Sequence, residues 1–150
     1  MRLIPPAWTL AIAIAQRQLV RITGGRRHYP GRKALTIGLG LGAAVLYGAV
    51  GIQFGAARTT IDPRDPHRTT TLVTSGVFAR SRNPIYVADT LILAACAAWL
   101  GRPVALLGIP VLAAALHPQI RAEEAALRER FGAEYEAYSA QVPRWVGPPS

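Results

Sequence analysis

The chain has 150 residues, enough for one domain, and sets sixteen arginines and one lysine against eight acidic residues, for a formal net charge of +9. Half of it is apolar and 17% is charged, and the charges collect between apolar stretches, as in an integral membrane protein. A nucleic-acid binder can be as basic, but it would not leave residues 34–57 without one charge, and a single cysteine, Cys96, excludes a disulfide framework or a zinc cluster built on cysteine.

In chain order, Leu3 to Val20 is apolar as far as Ala15 and then polar at Gln16, Arg17 and Gln18, which predicts a weak, half-interfacial first segment. Arg2 and the apolar run resemble a secretory leader, but Pro5-Pro6 interrupts the run, so the segment is expected to be retained. Residues 23–33 form a basic, Gly- and Pro-rich turn. Ala34 to Ala57 is the clearest spanning helix, long enough to tilt. Its glycines Gly38, Gly40, Gly42, Gly48 and Gly51 predict close helix packing, within one chain or between two copies.

Residues 58–82 make a polar connection longer than a hairpin needs, read as irregular but ordered. Pro84 suits the first turn of a third segment running to Leu100. Gly101-Arg102-Pro103 is a tight turn into a fourth segment, Val104 to about Leu116, and the two segments form a helical hairpin. Pro110 and Pro118 are predicted to bend or interrupt the return helix. The fold class is therefore an all-α integral membrane protein of about four membrane-embedded helices, followed by a C-terminal amphipathic helix. Within its single domain, residues 1–57 hold the two N-terminal segments and 58–150 the loop, hairpin and C-terminal helix.

Residues 119–130 have helical periodicity. At 100° per residue Ile120, Leu127 and Phe131 share a stripe, and Glu123 and Glu124 lie within about 60° of it, on the apolar side, whereas Glu129 falls opposite. A plain surface helix would place both carboxylates with Glu129. Glu124 also has the i,i+4 order that favours a surface ion pair with Arg128. Phe131, Tyr135 and Tyr138 continue an aromatic stripe at helical spacing, read as packing. Asp89, one turn beyond Tyr86, is an acid inside a membrane segment; it reads as a ligand for an acceptor amine, a partner for an arginine, or a helix-start carboxylate near the headgroups. His117 reads as interfacial packing, and Trp8, Trp99 and Trp145 as interfacial anchors.

From LVTSGVF through Arg82-Asn83-Pro84-Ile85-Tyr86, the hairpin, the Glu123-Glu124 pair, FGAEYEAY and the closing Val142-Pro143-Arg144-Trp145, the chain resembles the isoprenylcysteine carboxyl methyltransferases and the related phospholipid methyltransferases. The resemblance implies a membrane enzyme dependent on S-adenosylmethionine, and the absence of a GxGxxG fingerprint agrees with a cofactor site of a non-Rossmann kind. Carried over by position, it implies cofactor contacts at Thr70, Thr71, Leu72, Val73, Phe78, Asn83, Pro84, Ile85, Tyr86, Glu123 and Glu124. An arginine that handles substrate in characterised members aligns with Gln119, with Arg121 nearby. Catalytic roles are expected for Glu123, Arg82 and Arg121, and acceptor contacts for Asp89 and Gln119. Chemically, an arginine at 82 or 80 suits the cofactor carboxylate, a glutamate its ammonium, and Phe78 or Tyr86 its adenine or sulfonium.

The partners expected are the lipid bilayer and a lipophilic or small methyl acceptor, with no nucleic acid and possible self-association. Two other readings compete: an NADPH-dependent membrane reductase of sterol-reductase-like architecture, which calls for a larger basic pocket, and a non-catalytic membrane subunit or transporter. With four crossings, ten cationic side chains fall on the face of the 58–82 loop and seven on the other. That leans towards a bacterial inner-membrane protein whose site faces the cytoplasm.

Overall fold

The computed structural model describes residues 5–57 and 71–147, and among them every regular element is helical. Five α-helices follow in order: α1 (Pro5–Ile22), α2 (Arg32–Ala57), α3 (Pro84–Leu100), α4 (Gly108–Phe131) and α5 (Ala133–Gln141). Short 3-10 turns occupy Gly76–Ala79 and Pro103–Leu107. By length and composition α2 can cross a bilayer, as can the stretch Pro103–Phe131, while α3 is a shorter apolar helix. Leu35, Ile37, Leu41, Val45 and Ile52 are each at least half exposed along α2, an outward apolar surface that suits lipid as solvent.

Pro84 begins α3 as its first-turn proline, and the Asn83 carbonyl accepts from the Tyr86 and Val87 amides at 3.0 and 3.1 Å. Pro110 falls in the first turn of α4, where its missing N–H interrupts nothing. Of the bend or interruption expected at Pro118, the interruption does not occur: α4 continues to Phe131, so the return segment and the acidic segment are one 24-residue helix. The helix stops instead at Gly132, whose φ of +49° is left-handed, and α5 starts afresh. Phe131 and Tyr135 therefore lie on two helices, and the continuous aromatic stripe expected of them does not form.

The chain divides into two compact units. The first holds described residues 5–44 and 88–117. In one cluster of its core Val20, Ala97, Leu100 and Ala105 are buried together, with Val104 packed on them. Gln16, expected at an interface, is 3% exposed and donates through Nε2 to the carbonyls of Ala105 at 2.7 Å and Leu93 at 3.2 Å. Gly108 makes room for it, since a Cβ there would stand 2.5 Å from that nitrogen. The basic turn after α1 is tied to the end of α3: the Arg27 amide donates to the Leu100 carbonyl at 3.1 Å, Tyr29 to the Ala98 carbonyl at 3.2 Å, and Arg102 to the Thr23 carbonyl. Asp89 is fully buried in this unit. The packing expected of the α2 glycines is met at Gly42, where an added Cβ would touch Leu91 at 3.6 Å. At Gly38, Gly40, Gly48 and Gly51 it would meet nothing within 4 Å among the described residues.

The second unit holds described residues 45–57, 71–87 and 118–147. The start of α3, the acidic end of α4, α5 and the C-terminal tail converge here, bringing the two halves of the sequence motif into one unit.

Candidate functional site

The site is built on the turn that leads into α3. Gly76 takes φ +58°, and a Cβ there would collide with the Gln53 side-chain amide, so the turn needs glycine twice over. It places Phe78 in the interior, 8% exposed, with its ring edge-on to Phe54 at a centroid distance of 5.3 Å. Tyr138 of α5 donates its hydroxyl to the Phe78 carbonyl at 2.7 Å. Burial pushes the Tyr138 hydroxyl well above the usual tyrosine range, so it stays protonated and remains a donor. From there the chain runs along the C-terminal tail. The Arg82 amide donates to the Pro143 carbonyl at 2.9 Å, and Asn83 Nδ2 and Ser81 Oγ reach the Arg144 carbonyl at 3.0 and 3.4 Å.

Two polar networks stand on this frame. In the first, Tyr86 donates its hydroxyl to Glu123, with Oε1 at 2.8 Å and Oε2 at 3.0 Å. Gln119 Nε2 donates to the Tyr86 oxygen at 3.1 Å and to Glu123 Oε1 at 3.0 Å. The pair Gln119 and Glu123 are i,i+4 on α4, so one helical turn presents both to the tyrosine. Glu123 is half-buried, Tyr86 buried.

In the second, Glu124 is 7% exposed and takes two arginines. Arg144 binds it in the forked, bidentate manner, Nε to Oε1 at 2.8 Å and Nη2 to Oε2 at 2.6 Å, while Arg82 Nη1 lies 3.1 Å from Oε1. The same Arg82 nitrogen donates to the Tyr135 hydroxyl at 3.2 Å. Burial raises the Tyr135 hydroxyl above its ordinary value, with the Arg82 hydrogen bond acting against it. Two guanidiniums thus face the Glu124 carboxylate, one residue along the helix from the Glu123 carboxylate.

The helical-wheel reading of Glu123 and Glu124 thus matches their burial, while Glu129 is exposed. The surface pair of Glu124 with Arg128 does not form; Arg128 bonds Glu136 of α5 instead. Arg82, Asn83, Tyr86, Gln119, Glu123 and Glu124 are brought together, and Pro84 and Phe78 are buried in the supporting turn. Leu72, Val73 and Ile85 are half-buried, whereas Thr71 and Arg121 are exposed and belong to neither network. Thr70 lies outside the described residues, and Asp89 belongs to the first unit. Sequence reasoning assigned no role to Arg144 and gave Tyr135 and Tyr138 packing alone. The available signal was the buried-side position of Glu124, where a carboxylate needs a cation, whereas Arg128, one turn on, is engaged by Glu136.

The sequence profile of the phospholipid methyltransferases matches residues 34–134, two thirds of the chain. A protein of Haemophilus influenzae, described as uncharacterized, is 38% identical over 63 residues, which is 41% of this chain and 100% of that protein. No solved structure matches.

Proposed function

Since the chain belongs to the phospholipid methyltransferase family, we propose that it is a membrane enzyme that uses S-adenosylmethionine to methylate a small or lipid-like acceptor at the membrane surface, its site facing the cytoplasm. The observation that carries this reading is the convergence, at adjacent positions of α4, of two carboxylates with a tyrosine, a glutamine and two arginines. Glu123 is a half-buried carboxylate that accepts from Tyr86 and Gln119, while Glu124 takes Arg82 and Arg144. An amino-acid moiety with both an ammonium and a carboxylate is complementary to that arrangement, so the residues fit the cofactor.

In this reading Glu123 would hold the cofactor ammonium, and Arg82 or Arg144 would meet its carboxylate. When bound, S-adenosylmethionine supplies an electrophilic methyl on a sulfonium, transferred by in-line displacement to a lone pair of the acceptor. The protein's contribution is to align the two reactants and exclude water; alignment alone supplies roughly 7–11 kcal/mol in well-oriented reactions. A carboxylate acceptor needs no base. A thiol or amine must lose a proton as its new bond forms, and Glu123 is the residue we assign to accept it. Gln119 and Tyr86 hold Glu123 in one orientation for either task.

The test is methyl transfer from methyl-labelled S-adenosylmethionine in proteoliposomes offering lipid, fatty acid and thiol acceptors. Label is expected in one acceptor class with the wild type, and at least about tenfold less with Glu123→Gln, the loss of one charge-assisted contact. Undiminished transfer by that variant would remove Glu123 from the mechanism, and transfer to none of the acceptors would contradict the proposed activity.

A further inference from the structure

We propose that the first unit carries a second ligand site, a groove that binds one anionic phospholipid and shares no residue with the methyl-transfer site. A groove of about 730 Å³ opens among α1, the basic turn, α2 and α3. Arg17, Arg21 and Arg26 line it, together with Trp99 and Thr36. Val20, Ala95 and Leu100 give it an apolar floor. Its size lies within the range of small-molecule sites, and accommodates a headgroup, the glycerol and the first part of an acyl chain.

Charge decides what the groove accepts. Residues 5–44 and 88–117 carry seven cations, Arg17, Arg21, Arg26, Arg27, Arg32, Lys33 and Arg102, and a single carboxylate, Asp89. Asp89 is fully buried and stands six residues before Ala95 on α3, about 9 Å of helix away. The groove arginines, all exposed, thus have no carboxylate beside them among the described residues of their own unit, and their combined charge favours an anionic ligand. Trp99, 41% exposed, is held in place by Arg26 and Arg32, whose guanidinium carbons lie 4.6 and 4.7 Å from its ring centroid. A phosphodiester offers acceptors alone. A free phosphate would leave the accessible apolar lining at Ala13, Cys96 and Trp99 uncovered, and a choline headgroup would set a cation among the arginines. An anionic phospholipid answers the cations and the apolar lining together.

Cys96 lines the groove and is the chain's only cysteine, so it reports occupancy without any substitution. The experiment follows its modification rate by a small maleimide in the full-length, delipidated protein in detergent, with added phosphatidylglycerol, phosphatidylcholine or inorganic phosphate. Phosphatidylglycerol is expected to slow labelling at least about fivefold, with the other two changing it less than about twofold, because occupancy scales with differential affinity. In Arg17→Gln/Arg21→Gln the half-protecting phosphatidylglycerol fraction rises about 30-fold, from about fivefold per lost cation. Equal protection by phosphatidylcholine, or no protection by either lipid, overturns the proposal. Protection by phosphate alone replaces the lipid with a free anion and also overturns it. Should the double variant not fold, the wild-type comparison decides the matter by itself.

Discussion

Glu124→Gln is the most informative single change to the frame of the site. The substitution keeps the shape of the side chain but removes its charge and turns one acceptor oxygen into an N–H donor facing guanidinium donors. Arg82 and Arg144 then lose their shared counter-ion. The two losses differ in size. The Arg82 side chain is 6% exposed and cannot recover its hydration, whereas that of Arg144 is 31% exposed and regains water. Removing one partner from a buried ion pair costs about 3–5 kcal/mol, and the partial exposure of Arg144 places this case near the lower end, at about 3 kcal/mol. For a chain of this length that corresponds to a fall in Tm of about 6–12 °C. Arg144→Ala leaves Glu124 with Arg82 and preserves the backbone carbonyl that Asn83 and Ser81 use, so its cost is smaller, about 1–2 kcal/mol. Thermal unfolding in one detergent, followed by tryptophan fluorescence, measures both. A fall of less than about 2 °C for Glu124→Gln, or a larger fall for Arg144→Ala than for Glu124→Gln, would refute the ranking and the buried pair behind it.

Gly101→Ala is expected to destabilise more than Gly76→Ala in the same assay. Both have left-handed φ, but an added Cβ at Gly101 would stand 2.0 Å from the Arg27 backbone oxygen, whereas at Gly76 it meets the end of the flexible Gln53 side chain. Gln53→Ala should therefore rescue part of the Gly76→Ala loss, leaving a conformational cost of about 1–2 kcal/mol. Tyr138→Phe removes a hydrogen bond of about 1 kcal/mol. Because burial holds the folded-state Tyr138 pKa above its unfolded value of about 10, the unfolded chain loses its proton first as pH rises. The contribution of this residue is thus full below pH of about 10 and declines above it, and Tyr138→Phe should flatten the alkaline fall in Tm. An unchanged alkaline slope would show that the hydroxyl is not buried as described.

Much of this arrangement could be read from the residues because local chemistry specified it. Pro84 and the Gly101-Arg102-Pro103 turn punctuate α3 at both ends, and the helical wheel put Glu123 and Glu124 on the buried side. Pro118 does not end α4, since a proline inside a helix costs one backbone hydrogen bond and a local clash, which a 24-residue helix can carry without breaking. Gly132 escaped notice because Phe131 and Tyr135 keep an i,i+4 spacing across it, so the apolar pattern runs on where the backbone does not. Of the α2 glycines, Gly42 packs within the chain, while the other four meet no described residue, so the sequence pattern alone does not separate contacts within one chain from contacts between two. Arg144 lies twenty residues from Glu124, and no periodicity connects a tail to the helix it folds against.

The central claim is that the second unit holds S-adenosylmethionine, and calorimetric titration of the full-length protein in detergent with S-adenosylhomocysteine tests it most directly. The account predicts saturable binding at one site, weakened at least about tenfold in Glu123→Ala, whose fold is checked by its helicity. A folded wild-type protein that gives no heat with S-adenosylhomocysteine and binds NADPH instead would contradict it.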